Sequence, residues 1–149
     1  MTRALIAVGI ALALLLGGLG LAVYFARDED YLQVDNVLAE NLTRAIGTAH
    51  EGDGTVDLRA LARFEWDRVL LVGRDVTPEE ISERIGYEWN GVIGFQTGEL
   101  FLFMAGDRVV RFADYRGEGR FEGFETPFAE IPRDRAVLRV RGLVVRPAR

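Results

Sequence analysis

The sequence contains no cysteine and no lysine, and it has one histidine (His50) and one serine (Ser82) in 149 residues. Without cysteine there are no disulfides, thiolate metal sites, thiol nucleophiles or lipid-modified N-terminal cysteine. Without lysine there is no Schiff-base amine and no ammonium group for a P-loop. A single imidazole excludes any site built on two. All 18 basic residues are arginine, set against 23 acids for a formal charge of −5. That acidic balance speaks against a nucleic-acid binder, which normally presents a basic face. The length suits one ordinary domain of about 100–150 residues, so a multidomain enzyme is not expected.

What the sequence does have is a long apolar run. Residues 4–26 carry no charge over 23 positions, and only four glycines in them fall outside the hydrophobic class. At ~1.5 Å rise per residue such a helix spans about 34 Å, enough for the ~30 Å hydrocarbon core of a bilayer. Arg3 precedes the run and Arg27-Asp28-Glu29-Asp30 follows it. Two readings fit, an uncleaved signal anchor and a secretory signal peptide. Gly20-Leu21-Ala22 offers small residues for cleavage. The run nevertheless continues through Val23-Tyr24-Phe25, as a spanning helix would, and an aromatic pair suits the membrane–water interface. Full spanning length favours the anchor. Arg3 and the α-amino group then place the N-terminus in the cytoplasm and the rest of the chain outside. The expected organisation is a cytoplasmic 1–3, a transmembrane helix or signal anchor over 4–26, and an exported domain over 27–149. From Asp28 onward, 16 arginines face 23 acids, a net charge of −7.

Within that domain, Val34, Val37, Leu38, Leu42, Ala45, Ile46 and Ala49 follow i, i+3, i+4 spacing, which predicts an amphipathic helix. Glu51-Gly52-Asp53-Gly54 breaks it, and Asp57 can cap a short helical segment carrying Leu58, Leu61 and Ala62. Trp66 to Val72 reads as a strand ended by Gly73. Thr77-Pro78-Glu79-Glu80 is a capping box with proline at the first helical position. Val76 and Ile81 stand as a hydrophobic staple, and Gly86 stands as a left-handed cap after Ile85. Strands are expected over 91–96, 99–105 and 108–113, joined by Thr97-Gly98 and Gly106-Asp107 turns. Leu100-Phe101-Leu102-Phe103-Met104 is apolar throughout, so it should be covered on both faces. A Gly- and Phe-rich stretch, 117–128, precedes one last strand over 135–145. The resulting fold class is α+β, an antiparallel sheet packed by two helices.

No segment singles out a catalytic, metal or cofactor site. His50 to Asp57 resembles part of a calcium loop, but aligning Gly54 on its glycine puts Ala49 and Ala60 where acidic ligands are needed. Gly117-Glu118-Gly119 with Gly123 hints at a nucleotide loop, yet no helix pattern follows to receive a phosphate. Trp66 and Trp89 read as core anchors. Ser82 falls inside the capped helix, which speaks against a serine nucleophile. No acid spacing marks a general acid/base pair among the 23 carboxylates.

Phe64-Glu65-Trp66-Asp67-Arg68-Val69-Leu70-Leu71-Val72, followed by Thr77-Pro78-Glu79-Glu80-Ile81 and Ile85-Gly86, resembles a motif of small exported bacterial envelope proteins. In those proteins a Trp-Asp strand leads through a turn into an acidic helix ending in glycine, behind a signal anchor or lipoprotein signal. Arg74-Asp75-Val76 stands here where a Pro-Tyr pair is common, and the lipid-acceptor cysteine is missing. The resemblance implies an envelope location and no particular activity. The expectation is therefore a single-pass membrane protein held by residues 4–26. Its domain would act by non-catalytic interaction, with an envelope protein as partner and no nucleic acid. The alternatives are an exported hydrolase using a carboxylate pair, and a small-ligand or lipid carrier with a cavity lined by Phe101 and Phe103.

Overall fold

The amphipathic pattern beginning at Val34 folds as helix α1, Asn36–Gly52. Asp35 caps it by accepting the Leu38 N–H at 2.9 Å on Oδ1. In this computed structural model, residues 34–52, 54–91 and 98–148 are described. The apolar run 4–26, most of the strand expected over 91–96, Thr97 and Asp53 lie outside them. The described residues fall in one compact unit, Leu32–Arg149. No helix among them is long and apolar enough to cross a membrane. Helix α1 buries Leu38, Ala39, Leu42 and Ile46. Val37, expected on that face, is instead 69% exposed. The stripe centres on Leu38, Leu42 and Ile46, and one step of ~100° carries Val37 off its edge.

After β1 (Thr55–Asp57), Asp57 accepts the Arg59 N–H and caps the single turn α2 (Leu58–Leu61) as expected. Strand β2 covers Arg68–Val72, and α3 covers Pro78–Ile85. The α3 capping box is complete. Thr77 Oγ1 accepts the Glu80 N–H at 3.3 Å, and Glu80 Oε2 accepts the Thr77 N–H at 2.7 Å. Gly86 closes the helix at φ +83°, a conformation that glycine adopts without strain. Thr77→Ala removes half of this box and is expected to cost about 1 kcal/mol of stability. A urea-unfolding midpoint shifted by that amount at constant slope checks it, whereas an unchanged midpoint contradicts it.

Strands β3 (Leu100–Ala105) and β4 (Arg108–Asp114) form the expected hairpin around Gly106. Then follow β5 (Arg120–Phe121), β6 (Phe128–Pro132), a 3₁₀ turn (Arg133–Arg135), β7 (Val137–Arg141) and β8 (Val144–Pro147). The fold class is α+β, but among the described residues the single expected sheet is two four-stranded ones, ordered β1-β7-β8-β5 and β4-β3-β2-β6. Every strand pair is antiparallel except β5 with β8. The strand expected over 135–145 is a hairpin that turns back at Gly142, φ +52°, with Val140 opposite Val145. The apolar alternation slips phase there. Leu138 and Val140 face inward on even positions and Val145 on an odd one, which a single strand cannot do. Strand β6 hides among glycines and prolines and pairs with β2 from Phe128 to Pro132.

Strand β3 is covered on both faces, as its composition requires. Phe101 and Phe103 point into a core shared with α1, Leu58 of α2, and Leu138, Val140 and Val145 of the first sheet. Leu100, Leu102 and Met104 point the opposite way, into a second core closed by Ile81 of α3, Trp89 and Phe112. The period of two along one strand thus divides the interior.

Candidate functional site

Where α1 meets α2, Asp35, Val37, Leu61, Phe64 and Arg111 surround a groove of about 440 Å³. The Arg111 guanidinium lies 4.7 Å above the Phe64 ring and 2.8 Å from Asp35 Oδ2. Partial burial works to raise the pKa of Asp35, but the Leu38 N–H and Arg111 outweigh it and hold the carboxyl below its ordinary value. Asp35 is thus a charged helix cap, unsuited to act as a general acid. A second groove, about 400 Å³, runs beside β6 and the end of β8, lined by Phe124, Ala129, Ile131, Pro132 and Pro147. A smaller one of about 150 Å³ contains Glu130, which bridges Arg68 at 3.5 Å and Arg84 at 3.3 Å.

The Trp-Asp pair serves the fold. Trp66 is buried, donates from Nε1 to the Ala62 carbonyl at 2.9 Å and sets its ring edge-on to Phe103. Arg133 stacks 5.1 Å from that ring and donates to the Trp66 carbonyl at 3.0 Å. Asp67 accepts the Gly106 N–H across the β3–β4 turn and pairs with Arg68 at 2.7 Å. The Gly106 hydrogen bond, with help from Arg68, keeps its pKa low.

The other candidates resolve in the same direction. Asp57 of the calcium-like loop is engaged by Arg59, whose side chain lowers its pKa. His50 is exposed, and no group of three metal-ligating side chains gathers among the described residues. The glycines of 117–119 surround Tyr115. Its hydroxyl accepts the Gly119 N–H at 3.0 Å, and a Cβ on Gly117 would lie 2.2 Å from that oxygen. They make room for a buried phenol, whose desolvation raises its pKa, and cradle no phosphate. Ser82 accepts the Trp89 N–H at 2.9 Å and donates to the Pro78 carbonyl at 2.8 Å, so its hydroxyl is occupied. Trp89 is buried against Phe112, at 5.1 Å between ring centroids.

One arrangement was not foreseen. The alternation Leu138-Arg139-Val140-Arg141 buries the aliphatic residues and turns both arginines outward. Register then sets Arg146 opposite Arg139, and Arg120 beside Val144. Four arginines consequently share the outer face of the first sheet. The arginines follow a period of two in the sequence, but the face forms only because the run 135–145 divides into two strands at Gly142. Compared with known proteins, the chain matches no family model, no curated protein and no solved structure.

Proposed function

We propose that this is a single-pass bacterial envelope protein, anchored in the cytoplasmic membrane by residues 4–26. Its α+β domain lies outside and works as a non-catalytic interaction module. The observation that carries the reading is the uncharged run of 23 residues, closed sharply by Arg3 and by Arg27-Asp28-Glu29-Asp30. Four carboxylates and the packing of the core favour a binding role over the two alternatives. A hydrolase with two carboxylates needs one acid held protonated by a raised pKa. Asp35, Asp57, Asp67 and Glu122 are all displaced downward, each by an arginine, a backbone N–H or both. A carrier needs space between sheet and helix. There Phe101 and Phe103 are fully buried, set edge-on to Phe121, Phe64 and Trp66.

Fusions of alkaline phosphatase and of green fluorescent protein to the C-terminus test topology and retention together. The expected result is an active phosphatase, a dark fluorescent fusion, and full-length protein that stays in the membrane pellet after alkaline carbonate. Fluorescent fusions with the protein recovered only from the cytosol would defeat the proposal. Release of a shortened chain would replace the anchor with a cleaved signal peptide.

A further inference from the structure

The first sheet has one face in the core and one in solvent, and the solvent face is unusual for so acidic a chain. Val56, Leu138, Val140 and Val145 turn inward and are buried. On the other side stand Arg120, Arg139, Arg141 and Arg146, all exposed, around half-buried Val144. Arg139, Arg141, Val144 and Arg146 line a depression of about 170 Å³. Arg146 pairs with Glu122 at 2.6 Å. Arg139 and Arg141 have no ion-pair partner among the described residues. Arginines set directly across from each other, as Arg139 and Arg146 are, repel and weaken the sheet, and Glu122 offsets only the Arg146 side. An outside anion removes that cost.

We infer that this face docks on anionic phospholipid headgroups, with Arg120, Arg139 and Arg141 taking the phosphates. Guanidinium groups bind phosphate through two parallel N–H donors and are weakly hydrated, so they suit a headgroup layer. Electrostatic attraction between a basic surface and anionic lipids is what such an interfacial contact draws on. Nucleic acid is the less fitting polyanion. Among the described residues the face carries no aromatic ring on which bases stack, and the chain as a whole is acidic. The inference rests on the anchored reading. Only residues 27–34 separate the apolar run from Asp35, so a tethered face meets headgroups at high effective concentration and needs little intrinsic affinity.

The absence of cysteine gives a clean experiment, because an introduced thiol is unique. Thr55→Cys, opposite Arg139 on the exposed edge of the same face, carries a fluorophore. Glu83→Cys on α3 is the control. The full chain is reconstituted in nanodiscs of phosphatidylcholine, with or without phosphatidylglycerol, containing a headgroup-attached quencher. The expected result is strong quenching at position 55 only in the discs with phosphatidylglycerol, weak quenching at position 83, and loss of the difference in high salt. Each of Arg120, Arg139 and Arg141 changed to glutamine should lower the docked-to-free ratio about fivefold, and Arg139→Gln/Arg141→Gln should lower it more than twentyfold with an unchanged circular dichroism spectrum. Equal quenching at both positions, or indifference to phosphatidylglycerol or to the double substitution, would overturn the inference. So would a stronger response of position 55 to added single-stranded DNA than to phosphatidylglycerol. A chain that fails to enter the discs defeats the anchor alone. The face is then read by sedimentation with phosphatidylglycerol vesicles, where retention dependent on Arg139 and Arg141 upholds it and no retention overturns it.

Discussion

Phe103→Ala is expected to cost about 3–5 kcal/mol, the largest loss of any single truncation described for this domain. Phe103 is 1% exposed at the centre of the first core. Two rings meet its own edge-on, Phe64 at 5.4 Å and Trp66 at 5.3 Å between centroids. Truncation forfeits its burial, both aromatic contacts and the packing around them. The backbone cannot close over the gap, because β3 is hydrogen-bonded on one side to β2 and on the other to β4. A domain of this size holds about 5–15 kcal/mol in total, so the variant should sit near the edge of folding. Urea unfolding of the full chain in mild detergent measures the loss. A change below about 1 kcal/mol would mean that Phe64 and Trp66 collapse into the space and that the core is less rigid than its ring geometry implies.

Gly98→Ala should be the next most damaging change, at about 1–3 kcal/mol. A Cβ there would stand 2.1 Å from the Tyr115 carbonyl oxygen and 3.2 Å from its carbon. Backbone atoms give way less readily than a side-chain end, and Tyr115 is fixed at both ends. Its N–H donates to the Glu99 carbonyl at 2.9 Å, and its hydroxyl holds Gly119. Gly47 in α1 provides the contrast, since a Cβ there meets nothing within 4 Å. Gly47→Ala is therefore expected to gain about 0.5–1 kcal/mol through helix propensity. Melting both variants beside the parent protein checks the pair, and a neutral Gly98→Ala would show that the Tyr115 backbone can shift.

Local chemistry was the legible part of this protein. The Thr77 capping box, the Gly86 cap, the Asp57 cap and the two-sided burial of β3 each depend on residues close together in sequence, and each is found in place. What escaped depends on partners far along the chain. Strand β6 pairs with β2 across some sixty residues, and nothing near Phe128–Pro132 announces it. The hairpin at Gly142 is hidden because an apolar run of mixed phase resembles one long strand until the turn divides it. The arginine face was invisible for the same reason, since its register exists only after that division. The rejected candidates show the reverse. The glycines at 117 and 119 resemble a phosphate loop locally, and only the distant fact of a buried Tyr115 ring gives their reason.

The order β1-β7-β8-β5 also governs when this domain can exist. A ribosome or a translocation channel delivers residues in sequence, so Thr55–Asp57 emerges early and must wait for Val137–Arg141 before it has a neighbour. Val144–Pro147 arrives later still, yet it occupies the interior of the sheet, between β7 and β5. Until then Val56, Leu58, Leu42 and Ile46 lack the side chains of Leu138, Val140 and Val145 that close their core. Long-range closure of this kind is slow, and the core can close only after nearly all of the domain has been made. If the domain is exported as proposed, its last strands are therefore still unplaced while the earlier ones cross the membrane.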